Sequence, residues 1–137
     1  MNDLDYVLER IDPWIDRYIS AGPCALGPLE KVGVGVWMLE AEVNNGGFDQ
    51  YYFNSAGDLA LQTVDALNAI GASNTASLLS AANAEFPRSV PTVNRTERQE
   101  TLDQIRDTVR FASLEEKFYR DEEDLIARLA SYLRSHR

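Results

Sequence analysis

The sequence predicts an all-α fold, a single compact bundle of about seven helices spanning residues 1–137. Three observations predict it. Apolar residues recur at three- and four-residue steps along almost the whole chain. Clusters of Gly, Pro, Asn and Ser punctuate those stretches at helix-length intervals. The length, 137 residues with 45% apolar and 26% charged side chains, suits one domain with a core of its own.

The first helix covers about residues 3–20, with Leu4, Val7, Leu8, Ile11, Trp14, Ile15, Tyr18 and Ile19 in helical register. Pro13 either kinks this helix or opens a fresh one after Asp12. Gly22 and Pro23 end it. Pro28 suits the first turn of a second helix, in which Leu29, Val32, Val36, Leu39 and Val43 follow helical steps. Val32-Gly33-Val34-Gly35-Val36 alternates with period two, but the longer span through Val43 favours the helix.

Asn44-Asn45-Gly46-Gly47 is a turn signal, and a short aromatic helix with Phe48, Tyr51 and Tyr52 inward follows it. After the break at Ser55-Ala56-Gly57-Asp58, Leu59 to Ile70 forms a helix with Val64, Leu67 and Ile70 inward. Ser73 caps the next helix, which runs to about Glu85. Pro87 and Pro91 bracket a loop. Thr96-Glu97-Arg98-Gln99 reads as a capping box opening a helix with Leu102, Ile105 and Val109 on one side. The last helix spans about Glu122 to Ser135. Its leading run Asp121-Glu122-Glu123-Asp124 and its trailing Arg128, Arg134 and Arg137 complement the helix dipole.

Charge narrows the function. There are 22 acidic and 13 basic residues, a net charge of −9, so direct nucleic-acid binding and anionic membranes are disfavoured and basic protein partners favoured. Ten of the acids and only three of the bases lie in residues 1–58. Asp5, Glu9, Asp12 and Asp16, spaced four, three and four, share the side of the first helix opposite its apolar face. Such a row has charges at intervals comparable with those of a phosphate backbone, and it is the candidate protein-binding surface. Glu100, Asp103 and Asp107 also share a face, but Arg106 and Arg110 stand within pairing distance of them.

Other chemistry finds little support. The longest apolar or glycine run, Val32 to Leu39, is too short to cross a membrane, and the acidic start of the chain has no leader-like apolar segment, so a cytoplasmic protein is expected. Cys24 stands alone and reads as an ordinary thiol. The Asn94-Arg95-Thr96 sequon is a chance match. The only histidine is His136, next to the last residue. No metal spacing, phosphate-binding loop or nucleophile set is present, so no catalytic residue, metal or cofactor is expected.

The most unusual stretch is Glu40 to Asn54, where carboxylates, amides and aromatics surround the glycine turn. Glu40 and Asn44 share one face, and Gln50 and Asn54 share another. If those faces meet they form an amide and carboxylate network at a rigid corner. The alternative is a small-molecule or hydrolytic pocket using Glu40, Glu42 or Asp49, recognisable as a concavity with a carboxylate of raised pKa.

Within that stretch, Val43-Asn44-Asn45-Gly46-Gly47-Phe48-Asp49-Gln50-Tyr51 resembles the signature of the bacterial DNA-mimic protein family. Asn54-Ser55-Ala56-Gly57, Ala66-Leu67, Ile70-Gly71-Ala72 and Ala84-Glu85-Phe86-Pro87 follow the same layout, so that the likeness covers about residues 28–87 well. The resemblance implies a small all-α cytoplasmic protein, not an enzyme, whose surface carboxylates occupy the DNA-binding site of a transcription factor. The motif residues Asn44, Asn45, Gly46, Gly47, Phe48, Asp49, Gln50 and Tyr51 are mainly structural, since only one of them is acidic. A homodimer would lengthen a mimetic charge array, although nothing in the sequence requires one.

Overall fold

The computed structural model describes residues 1–136; Arg137, assigned above to the end of the last helix, lies outside them. Seven helices follow in order: α1 Asp3–Ala21, α2 Pro28–Phe53, α3 Ala60–Ala69, α4 Ser73–Asn83, α5 Arg95–Ile105, α6 Phe111–Tyr119 and α7 Leu125–Ser135. No strand occurs among the described residues, and none of their helices is long and apolar enough to cross a membrane. Short 3₁₀ turns connect α1 to α2, α2 to α3 and α4 to α5.

α2 is the axis of the bundle and touches α1, α3, α5, α6 and α7. Its Val-Gly alternation is a packing device. A Cβ on Gly33 would lie 2.9 Å from the Trp14 ring of α1, and one on Gly35 would lie 2.7 Å from Thr63 Oγ1 of α3. Only bare backbone lets α2 sit this close to both neighbours. α2 is interrupted at Gly46 and Gly47, whose backbones leave helical geometry, so the expected turn is present as a sharp corner inside one continuous element.

Beyond the corner, Phe48, Tyr51 and Tyr52 point inward as expected. They meet Phe86, Phe111 and Phe118 in an aromatic cluster, with Tyr52 and Phe86 centroids 4.7 Å apart and Phe48 and Phe111 centroids 5.7 Å apart. All seven helices contribute to the surrounding apolar core.

Pro13 neither ends nor restarts α1, which runs through it. The proline is exposed, so the Glu9 carbonyl left without its intrahelical donor can be hydrated. Other expectations need correction. α6 has no counterpart in the predicted elements; the count of seven agrees because the sequence reading divides α2 into two helices. α3 starts one residue late, after a 3₁₀ turn over Ser55–Leu59, and Val64 is only half-buried while Thr63 and Ala66 face the core. α5 ends at Ile105, so Val109 packs from the loop that follows.

The helix caps also differ. Ser73 is the first residue of α4 and does not cap it. The cap is Glu123, whose carboxylate accepts from Thr75 N at 2.7 Å, Thr75 Oγ1 at 2.8 Å and Asn74 N at 3.1 Å. Thr96 is likewise inside α5, which Asn94 caps by accepting from Glu97 N at 2.9 Å. α7 begins at Leu125 rather than Glu122; Asp124 and Asp121 accept from its first amides, at 3.2 Å and 3.1 Å.

The Glu123 cap makes a pH-dependent prediction. Desolvation pushes the Glu123 carboxyl up, but the bonds from Thr75 and Asn74 and the Arg128 charge outweigh it and hold it below the ordinary carboxylate range. Its stabilisation is therefore complete above the unfolded-state value of about 4.3 and is lost as pH falls through the lower folded-state value. Glu123→Gln is expected to lower Tm by about 3–5 °C at pH 7, a modest effect because solvent screens the site. Thermal melts from pH 7 down to about pH 3 should show the gap to the parent closing. A gap that stays constant with pH would remove the ionised cap from the explanation.

Candidate functional site

α1 lies across α7 and α2 with Val7, Ile11 and Tyr18 buried. Its two arginines are engaged at this seam. Arg10 donates to the Leu133 and His136 carbonyls at 2.6 Å and 2.8 Å, capping the end of α7, and Arg17 donates to Glu30 of α2. Arg134 of α7 pairs with Asp3 at 2.9 Å and lies over the Tyr6 ring. These bonds use the cations near α1 on the flank away from the acidic row.

Asp5, Glu9, Asp12 and Asp16 are all exposed. None of them forms an ion pair or a side-chain hydrogen bond among the described residues. Because α1 is unbroken, the four span about 16 Å of axis within about 60° of arc, at 1.5 Å and 100° per residue. Some acids elsewhere differ in being paired. Asp103 and Asp49 both pair with Arg106, and Glu116 pairs with Arg120. Arg110, expected to offset the α5 acids, makes no ion pair among the described residues, and Glu100 and Asp107 are exposed without one.

The Glu40–Asn54 corner is tied together differently from the expectation. The face that meets Gln50 and Asn54 carries Glu42, not Glu40: Glu42 Oε2 accepts from Gln50 Nε2 at 2.6 Å and from Asn54 Nδ2 at 3.1 Å. Residue 42 is two positions along from 40, and the bend at Gly46-Gly47 folds the chain back on that side. Glu40 bonds only within its own turn, accepting from Asn44 Nδ2 at 2.8 Å, and Asn45 Nδ2 donates to Gln50 Oε1 at 3.2 Å. Asp49 receives Arg106 Nε at 2.6 Å.

Of the motif residues, Gly47, Phe48 and Tyr51 are buried, Asp49 and Gln50 are half-buried, and Asn44, Asn45 and Gly46 are exposed. Glu115 of α6 completes the corner by accepting from Phe48 N at 2.7 Å, across 67 residues. No local pattern signals that contact.

One feature expected of a ligand pocket is present here. Burial raises the Glu40 carboxyl above its ordinary value, the Asp121 and Asp124 charges add to this, and the Asn44 bond opposes it. Clefts lined by Asn74, Lys117 and Asp121, by Phe86, Arg88 and Thr101, and by Pro28, Gln62 and Ala69 all lie on other segments. The polar side chains of the corner bond mainly to one another and to Arg106.

The bundle is organised on the bent, glycine-interrupted α2, which carries the Val43–Tyr51 motif at its bend. The DMP19-like protein model matches residues 24–136. The chain belongs to the DMP19-like family. The match spans six of the seven helices, the corner included, and begins after α1. The DNA-mimic resemblance drawn from the motif thus extends beyond residue 87, where the recognisable likeness ended, to the end of α7. No curated protein and no solved structure matches the chain.

Proposed function

We propose that this DMP19-like protein is a non-enzymatic acidic binding domain. Through Asp5, Glu9, Asp12 and Asp16 of α1 it engages the basic surface with which a DNA-binding protein holds DNA. The carrying observation is the continuity of that row: four exposed carboxylates on one helix that continues through Pro13, with no cation of the described residues spent on them. The net charge of −9 and its concentration in the first 58 residues support the reading, as does family membership. The transcription-regulating role and cytoplasmic setting implied by the family likeness belong to the same proposal.

The test is capture from host lysate by the parent and by a D5N/E9Q/D12N/D16N variant, with and without excess duplex DNA. A DNA-binding protein is expected on the parent, displaced by duplex and at least tenfold depleted on the variant. The variant should keep its circular dichroism, and its Tm should hold or rise because like charges at i,i+4 repel. Retention of the same partner by the variant would sink the α1 row as the contact.

A further inference from the structure

The acidic row does not stand alone on α1. Taking 100° per residue, the buried Val7, Ile11 and Tyr18 centre near one direction, and the carboxylates occupy an arc about 120–180° from it. Between the two, on one flank only, lie Leu4, Ile15, Leu8 and Ile19, at about 40°, 60°, 80° and 100°. The other flank carries Tyr6, Arg10 and Arg17, which are engaged by α7 and α2. Leu4 is 42% exposed, Leu8 36% and Ile19 71%, with Ile15 half-buried beneath them. An apolar ridge spaced four, seven and four therefore runs beside the carboxylates for the length of the helix.

A phosphate backbone has no apolar counterpart to such a ridge, so imitation of DNA charge leaves it unexplained. Leu4, Leu8 and Ile19 are the exposed aliphatics of α1, and all three border its unpaired acids on one flank. Both features run side by side along the one helix, which continues through Pro13. A partner that meets both along their length presents cations and aliphatics in adjacent stripes, at three- and four-residue intervals. That is the pattern of an α-helix, with Arg or Lys opposite the acids and Leu-like side chains packed into the ridge.

We infer that α1 docks a basic amphipathic helix of its partner, pairing Asp5, Glu9, Asp12 and Asp16 with its cations and Leu4, Leu8 and Ile19 with its apolar stripe. The inference rests on the acidic-row reading and adds the secondary structure and apolar chemistry of what is bound. It also changes the expected salt response. Screening weakens the charged contacts but not the ridge, so binding should persist at salt concentrations that abolish a purely electrostatic complex.

The test uses two fluorescein-labelled 18-residue peptides of identical Lys, Leu and Ala composition, read by fluorescence anisotropy at 50 and 300 mM salt. One has its lysines and leucines in adjacent helical stripes; in the other the order is scrambled. The parent is expected to bind the patterned peptide at least tenfold more tightly, with the larger ratio at 300 mM. Ile19→Ser, at the most exposed ridge position, should remove most of that preference, and L8S/I19S all of it. D5N/E9Q/D12N/D16N should weaken both peptides.

Equal binding of the two peptides by the parent would overturn the helix-docking inference. If that binding also fell in the amide variant, the acidic-row reading would stand without it. A patterned-peptide preference untouched in I19S and L8S/I19S would overturn the ridge. Full binding by the amide variant would overturn the acidic row and the inference with it, and binding of neither peptide at 50 mM salt would overturn both.

Discussion

Arg98→Met is expected to lower the unfolding free energy by about 3–5 kcal/mol, the range for stripping one partner from a buried charge network. Arg98 is fully buried in a chain of net charge −9. Its guanidinium donates from Nε to the Tyr52 carbonyl at 2.7 Å and from Nη2 to that of Asn54 at 2.8 Å. Nη1 donates to the Thr92 carbonyl at 2.8 Å and to that of Val93 at 3.2 Å. Asp58 Oδ1 lies 2.8 Å from Nη2 without the alignment of a hydrogen bond, so that contact is ionic.

The cation thus caps the C-terminal carbonyls of α2, where a positive charge is favoured, and ties them to the segment leading into α5. Methionine keeps the apolar stem but withdraws the guanidinium donors from the buried Tyr52 carbonyl and from those of Thr92 and Val93, while the Asn54 carbonyl keeps Gly57 N at 3.2 Å. Urea unfolding of Arg98→Met, Arg98→Lys and Asp58→Asn would apportion the effect. Lysine should recover only part of the loss, because its ammonium cannot fork to four carbonyls spread in a plane. Asp58 is partly solvated, so Asp58→Asn should cost less than Arg98→Met. If Arg98→Met costs less than about 1 kcal/mol, the carbonyl cap is not what holds this junction.

Arg98 also shows why some of the fold was hidden in the sequence. As the third residue of a Thr-Glu-Arg-Gln box it should lie in the first, solvated turn of a helix. Instead the core demands it, the register shifts, and Asn94 becomes the cap. Ser73 fails as a cap for a similar reason: Glu123, 48 residues beyond Thr75, reaches the amides of Asn74 and Thr75. Cap chemistry is visible locally, but which donor arrives is decided by tertiary packing.

What is purely periodic was legible. The apolar faces of α1 and α2, the Asn-Asn-Gly-Gly turn and the inward Phe48, Tyr51 and Tyr52 follow from spacing alone. α6 had a signal too, Phe111, Leu114 and Phe118 at helical steps, but it is short and its Arg110 cap position makes no side-chain bond. The acidic row was visible as a pattern. That it stays unpaired was not, because this depends on Arg10 turning to the α7 carbonyls and Arg134 to Asp3. The row lies in α1, before the residues that match the family, so family membership by itself does not supply the proposed contact.

Gly47→Ala is expected to destabilise the protein by about 2–4 kcal/mol, from backbone strain and a steric conflict acting together. Gly47 sits at φ 73° and ψ −173°, a region that essentially only glycine occupies. A Cβ there would lie 2.8 Å from Glu115 Cδ. Glu115 can move aside only by releasing Phe48 N, which leads the aromatic segment into the core. Gly46→Ala should cost less, since Gly46 has a negative φ and faces chiefly the Gln50 side chain.

The Glu115→Ala variant separates the two causes. If the steric conflict dominates, Gly47→Ala costs less in the Glu115→Ala background than alone; if the backbone dominates, the cost is unchanged. Peptide binding by α1, measured below the melting range, should be unaffected in either case, because the corner and the acidic row share no residue. A Gly47→Ala protein of full stability would mean that the glycine is not there for the bend.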